Sequence, residues 1–279
     1  MSVGAGVYGR IAVGAALAPL RRRPDALPDT QLRRSGIAID RSHLAAYDRV
    51  CGFGLSDRLP ATYPHVLAFP LAIELMAAGD FPFGVLGLVH VRNAIEQLRP
   101  LRADEPLDLV VWAENLAGHP RGRTVDVVAE GSVGGEPVWR DRSTYLHRES
   151  SRGGAGRDGS EPPDADAVWD VPGDTGRRYA SVSGDRNPIH MHPLPARLLG
   201  QPGAIAHGMW TTARCLAALQ GQLPEALSVE VAFKLPVRLP AKVAFASWRE
   251  GDDRRFALHD ARSRKPHLEG SVTPAAAAA

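Results

Sequence analysis

The chain has 279 residues, 44% hydrophobic and 23% charged, values that exclude a globally disordered polymer and suit one large domain or two ordinary ones. A formal net charge of +2 is too small and too dispersed for a nucleic-acid-binding protein, and it stays compatible with an anionic small ligand or an acidic carrier protein.

The run "IAVGAALAPL" (residues 11–20) is too short to cross a bilayer, and the basic residues Arg21–Arg23 follow it instead of preceding it as in a secretory signal. No membrane span and a cytoplasmic location are therefore expected. The two cysteines, Cys51 and Cys215, match no metal-ligand spacing and read as buried thiols in a reducing compartment. "FPLAIELMAAGD" predicts a helix with Pro70 at its first position and Gly79 at its cap. Leu71, Leu75 and Ala78 on that helix are expected in the core. "LDLVVW" and "TVDVVAEG" then alternate with period two, as half-buried antiparallel strands do.

"ESSRGGAGRDGSEPPDADA", from Glu149 to Ala167, lacks any large apolar residue and reads as a flexible linker, open to proteolysis. It divides the chain into 1–148 and 168–279. Beyond it comes "YASVSGDRNPIH" (Tyr179 to His190), and "GMWTTARCLAALQG" predicts a helix from Gly208 to Gly221 with Met209, Ala213 and Leu216 on one face. The strands "LSVEVAF" and "KVAFASW" follow.

The two halves repeat one another. "YDRVCGF" from Tyr47 parallels "YASVSGD" from Tyr179. Pro100 and Pro236, Arg102 and Arg238, and Trp112 and Trp248 keep one offset of 136. A long helix followed by strands, twice over, is an α+β domain repeated.

The pattern Y-x-x-x-S-G-D-x-N-P-x-H, a gap, then H-G-M at a helix start resembles the MaoC-like family of hotdog-fold enzymes. These are the (R)-specific enoyl-thioester hydratases and 3-hydroxyacyl-thioester dehydratases, and the whole chain resembles their double-hotdog actinobacterial type. The resemblance implies two curved antiparallel sheets, each around a central helix, with a ligand tunnel between the units. It implies a substrate carried as a coenzyme A or acyl-carrier-protein thioester, with no cofactor and no metal. The chain would act as a monomer with an internal pseudo-dimer, or as a homodimer.

Hydrating a trans-2-enoyl thioester needs a base for water, a proton donor for Cα and donors for the enolate oxygen. Asp185 and His190, five positions apart with Pro188 stiffening the turn, can hold one water between them. A helix N-terminus offers unpaired N–H groups, and Gly208, lacking a Cβ, lets a thioester carbonyl approach. By resemblance its N–H is the oxyanion donor, with Ser183 and Asn187 supporting the loop. His207 reads as a packing or helix-start residue. His192 stands where the family has Asp or Asn, so it is expected to cap the next turn less well.

The first half has Gly52-Phe53 against Gly184-Asp185, and Phe69-Pro70 against His207-Gly208, and so lacks the acid and the oxyanion glycine. It is expected to shape the acyl tunnel. A hotdog thioesterase and a non-catalytic acyl-thioester-binding subunit are the alternative functions.

Overall fold

The computed structural model describes residues 24–149, 163–198 and 202–275. The apolar run at 11–20, Arg21–Arg23 and most of the linker (150–162) lie outside the described residues. The first half runs β1 (Leu32–Ile37), α1 (Arg41–Cys51), α2 (Tyr63–Ala77), β2 (Leu88–Gln97), β3 (Leu107–His119), β4 (Gly122–Val133) and β5 (Glu136–Arg148). The second runs β6 (Ala167–Val171), α3 (Thr175–Ser183), α4 (Pro188–Met191), α5 (Pro193–Leu198), α6 (Gly208–Ala218), β7 (Leu227–Phe233), β8 (Ala241–Glu250), β9 (Asp253–Asp260) and β10 (Pro266–Pro274).

All ten strands form one sheet in the order β1-β3-β4-β5-β2-β7-β10-β9-β8-β6. Read from either edge to the centre, both halves give the same sequence of strands, so the chain is an α+β double hotdog with its seam between β2 and β7. The seam is antiparallel, running from Arg92 opposite Ala232 to Gln97 opposite Leu227. Alternation in the strands follows the sheet faces: on β7 the residues Leu227, Val229 and Val231 are buried while Glu230 is exposed. Met209, Ala213 and Leu216 are all buried on α6, as their spacing predicts. Among the described residues no helix is long and apolar enough to cross a membrane.

The repeat extends to local geometry. Helix α1 is capped by Asp40, whose carboxylate accepts from Ser42 and His43 N–H. It ends on Gly52 at φ 85°, and α3 ends on Gly184 at φ 74°, a left-handed conformation that favours glycine. Further along, Leu59 N–H bonds Leu101 O and Ala103 N–H bonds Asp57 O. In the second unit Ala206 N–H bonds Val237 O and Leu239 N–H bonds Ala204 O. These pairs place Pro60 and Ala61 opposite His207 and Gly208.

That register corrects the expected alignment at Phe69-Pro70. Pro70 lies inside α2, which begins at Tyr63 with Pro64 in its first turn, and α2 ends at Ala77 on an extended Ala78 instead of on Gly79. The missing Pro70 N–H costs one intrahelical bond, tolerated here because Phe69, Ile73 and Leu75 bury the surrounding turns. Leu75 is core as expected, Leu71 packs half-buried against the core, and Ala78 has left the helix. The first unit also lacks a segment: Gly52 and Arg58 are close in sequence, whereas the corresponding Gly184 and Ile205 bracket α4 and α5.

Candidate active site

The left-handed Gly184 turns the chain sharply out of α3, so that Asp185 emerges beside the start of α6. Backbone and side-chain bonds then fix the loop. Ser183 Oγ accepts from Asp185 N–H at 3.2 Å, and Asp185 Oδ1 accepts from Asn187 N–H at 3.1 Å. Asn187 caps α4, its side chain accepting from Ile189 N–H at 3.4 Å, and Pro188 occupies the first turn where no N–H is needed. Ser183 and Asn187 thus each accept one backbone N–H of the loop.

His190 sits on α4 with its Nδ1–H donated to Ile205 O at 2.8 Å, which leaves the Nε2 lone pair for chemistry. Burial lowers its pKa, against the upward pull of Asp185 and the Ile205 bond, so the ring is neutral near pH 7. The approach of α4 to α3 depends on Gly176, since a Cβ there would overlap His190 O. His192 follows α4 and accepts weakly from Leu194 N–H, at 3.4 Å.

His207 stands at the start of α6, buried and packed as its reading as a packing or helix-start residue expects, and it also touches Asp185. Its ring stacks on His190 with centroids 3.7 Å apart, its Nε2–H donates to Asp185 O at 3.0 Å, and Nε2 lies 3.7 Å from Asp185 Oδ2. Burial, reinforced by His190, pushes its pKa down to about 3 in spite of Asp185. Tyr179, fully enclosed, packs on its other side at 4.9 Å. Donor atoms of Asp185, His190 and His207 lie within 4.8 Å of one another, a spacing that admits a cation. The stacked rings and the use of His207 Nε2 on a backbone carbonyl oppose it, because nearly parallel imidazoles do not converge their lone pairs on one point.

Gly208 opens α6 directly after His207, placing the positive end of that helix beside the Asp185–His190 pair. A Cβ on Gly208 would come 3.0 Å from the Phe233 ring, so the glycine also serves the packing of β7 beneath the helix. Among the described residues, the sequence motif therefore gathers at one point all of its expected members: Asp185, His190, Gly208, Ser183, Asn187 and His207.

Residues of the first unit that sequence reasoning missed reach toward this point. His43 on α1 donates from Nε2 to Val182 O and accepts from Tyr63 O–H at Nδ1, both at 2.8 Å. It thereby ties α1 and α2 to the end of α3. One strand away from the seam, on β5, Asp141 accepts from His65 Nδ1–H at 2.7 Å, from Asn93 Nδ2 and from Ser143 Oγ. Next to them His90 stacks on Tyr145 at 4.8 Å. The signal was available in "WRDRSTY", where Asp141 and Ser143 take inward positions of a strand whose outward positions are Arg140 and Arg142.

A family model for the MaoC-like domain matches residues 160–271. The sequence is 36% identical to 3-hydroxyacyl-thioester dehydratase X of Mycobacterium tuberculosis over 98% of this chain and 99% of the relative. The crystal structure of HtdX of Mycobacterium tuberculosis superposes with a TM-score of 0.81, at 35% identity, over 88% of this chain and 100% of that one. A Mycobacterium tuberculosis protein described as having a double hotdog fold matches at TM-score 0.54 and 11% identity, over 88% and 96% of the two chains, and so shares the fold alone.

Proposed function

The chain belongs to the MaoC-like dehydratase family, and on that premise we propose that it is a hydro-lyase interconverting trans-2-enoyl and (R)-3-hydroxyacyl thioesters at Asp185, His190 and Gly208. In the hydration direction one water lies between the Asp185 carboxylate and His190 Nε2. Its proton passes to this pair as the oxygen adds to C3, and the pair returns a proton to Cα. A neutral His190 with a depressed pKa accepts a proton transiently and releases it readily.

The first amide of α6, aided by the helix dipole, holds the thioester oxygen as enolate charge develops there. His207 positions Asp185 through its carbonyl and backs the His190 ring. The first unit, with Pro60 and Ala61 at the corresponding places and no inserted α4–α5 segment, shapes the acyl tunnel. Coenzyme A or an acyl carrier protein presents the thioester. The buried, unpaired thiols of Cys51 and Cys215 support a reducing, cytoplasmic setting. The β2–β7 seam supports a working monomer, since the pairing that joins two hotdogs lies within one chain.

The observation that carries this reading is the pinned tautomer of His190 beside Asp185 at a helix N-terminus. The test is loss of the enoyl-thioester absorbance on a series of trans-2-enoyl coenzyme A substrates, with product chirality determined. The expected product is the (R)-3-hydroxyacyl thioester. Release of free thiol without hydration would favour a thioesterase, and saturable binding without turnover would favour an acyl-thioester-binding subunit.

A further inference from the structure

Packing of the first unit needs only apolar side chains, yet beside the seam it carries a buried polar cluster. Asp141 is 2% exposed and Asn93 1% exposed. Asn93 spends its Nδ2 donors on Asp141 Oδ1 and Ser143 Oγ, while its Oδ1 is buried and accepts from no described residue. Beside it, His90 Nε2 is likewise buried with no hydrogen-bond partner among the described residues. The Arg92 backbone pulls the His90 pKa upward, as a carbonyl facing the other ring nitrogen does, which assigns the ring N–H there and the lone pair to Nε2. Two unmet acceptors in one buried cluster call for a donor, since each left unmet is a desolvated group with no compensating bond.

The cluster adjoins the site. The His90 ring packs on Phe233 with centroids 4.9 Å apart, and Phe233 is the ring that lies directly under Gly208. Burial and the neighbouring His65 bring the His90 pKa down to about 4, while Asp141 and, across the seam, Asp185 pull it upward. His90 is therefore neutral near pH 7.

We infer that His90 and Asn93 form a specificity subsite for acyl thioesters that carry a hydroxyl group on the chain beyond C3, whose O–H donates to one of these acceptors. The inference rests on the dehydratase reading. It assigns the first unit a recognition role in addition to shaping the tunnel.

The test is kcat/KM for trans-2-enoyl coenzyme A substrates of one length, either unsubstituted or bearing a single hydroxyl at successive carbons beyond C3. The wild type is expected to prefer one hydroxylated isomer by roughly tenfold or more over the unsubstituted chain. His90→Phe keeps ring packing against Tyr145 and Phe233 but removes the acceptor, so that preference should vanish mainly through KM while turnover of the unsubstituted chain persists. His90→Gln, which restores an acceptor, should recover part of it. A wild type indifferent to the hydroxyl at every position would overturn the inference, as would His90→Phe lowering both substrates alike. The wild-type comparison decides the matter even if the variant fails to fold. Absence of turnover on every substrate would instead sink the dehydratase reading itself.

Discussion

Replacing Gly176 with alanine tests whether catalysis depends on the approach of α4 to α3. The new Cβ would overlap His190 O and stand 3.1 Å from its carbonyl carbon, where carbon atoms prefer about 3.5–4.0 Å. Neither partner is a flexible side-chain end, so the backbone must yield, and α4 should shift by about 1 Å. That helix carries His190, whose ring is bonded to the Ile205 carbonyl, so the shift acts directly on the nitrogen proposed to handle the proton. A misplacement of that size costs on the order of 10² in rate, and overpacking costs about 1–3 kcal/mol in stability. The assay is kcat for enoyl coenzyme A hydration at a temperature where circular dichroism shows the variant folded. Gly173→Ala serves as control, since a Cβ there meets only Pro240 at an ordinary 3.9 Å. Wild-type turnover in Gly176→Ala would refute the argument that this close contact sets the position of His190.

Asp185→Asn should lower kcat by about 10² to 10⁴ with a smaller change in KM, His190→Ala should cost a similar amount, and the double variant should be scarcely worse, as rates at matched folding will show. Phe53→Asp should leave turnover unchanged and lower the melting temperature, because Phe53 packs against Tyr47 while the first unit lacks both the inserted segment and a residue equivalent to His207. A rise in turnover would contradict that reading. Acid should destabilise the fold: His207 and His90, held to about 3 and about 4 in the folded state against 6.5 otherwise, bind fewer protons than the unfolded chain. Their contribution is complete above pH 6.5 and fades as pH falls toward those values, by several kcal/mol between them on the order of 1.4 per unit. Asp48, raised to about 6, acts in the opposite sense but only partly offsets it. A melting temperature flat from pH 7 to 4.5 would contradict the two buried neutral rings.

The candidate segment was legible because its residues follow one another locally. Turn residues, a stiffening proline and a helix-opening glycine follow in order along Ser183 to Gly208, and short-range backbone bonds hold them there. The repeat was legible through its strands for the same reason. The start of α2 was not, since a proline signals a first turn and gives no sign that burial on both sides will carry a helix through it. Only the long-range bonds of Leu59 and Ala206 reveal the true correspondence. The cluster around Asp141 was legible only in part: the alternation in "WRDRSTY" turns Asp141 and Ser143 inward, but His65, Asn93 and Asp141 come from three elements, and no local pattern announces their meeting.

Joining two hotdogs in one polypeptide has a consequence that separate identical subunits could not reach. In a two-fold dimer every residue at the seam faces the same residue set from its partner, so a change that suits one half of a shared cavity is imposed on the other. Here His90 of one unit meets Phe233 of the other, an imidazole against a phenyl ring. Freed from self-complementarity, each side of the seam can evolve by itself.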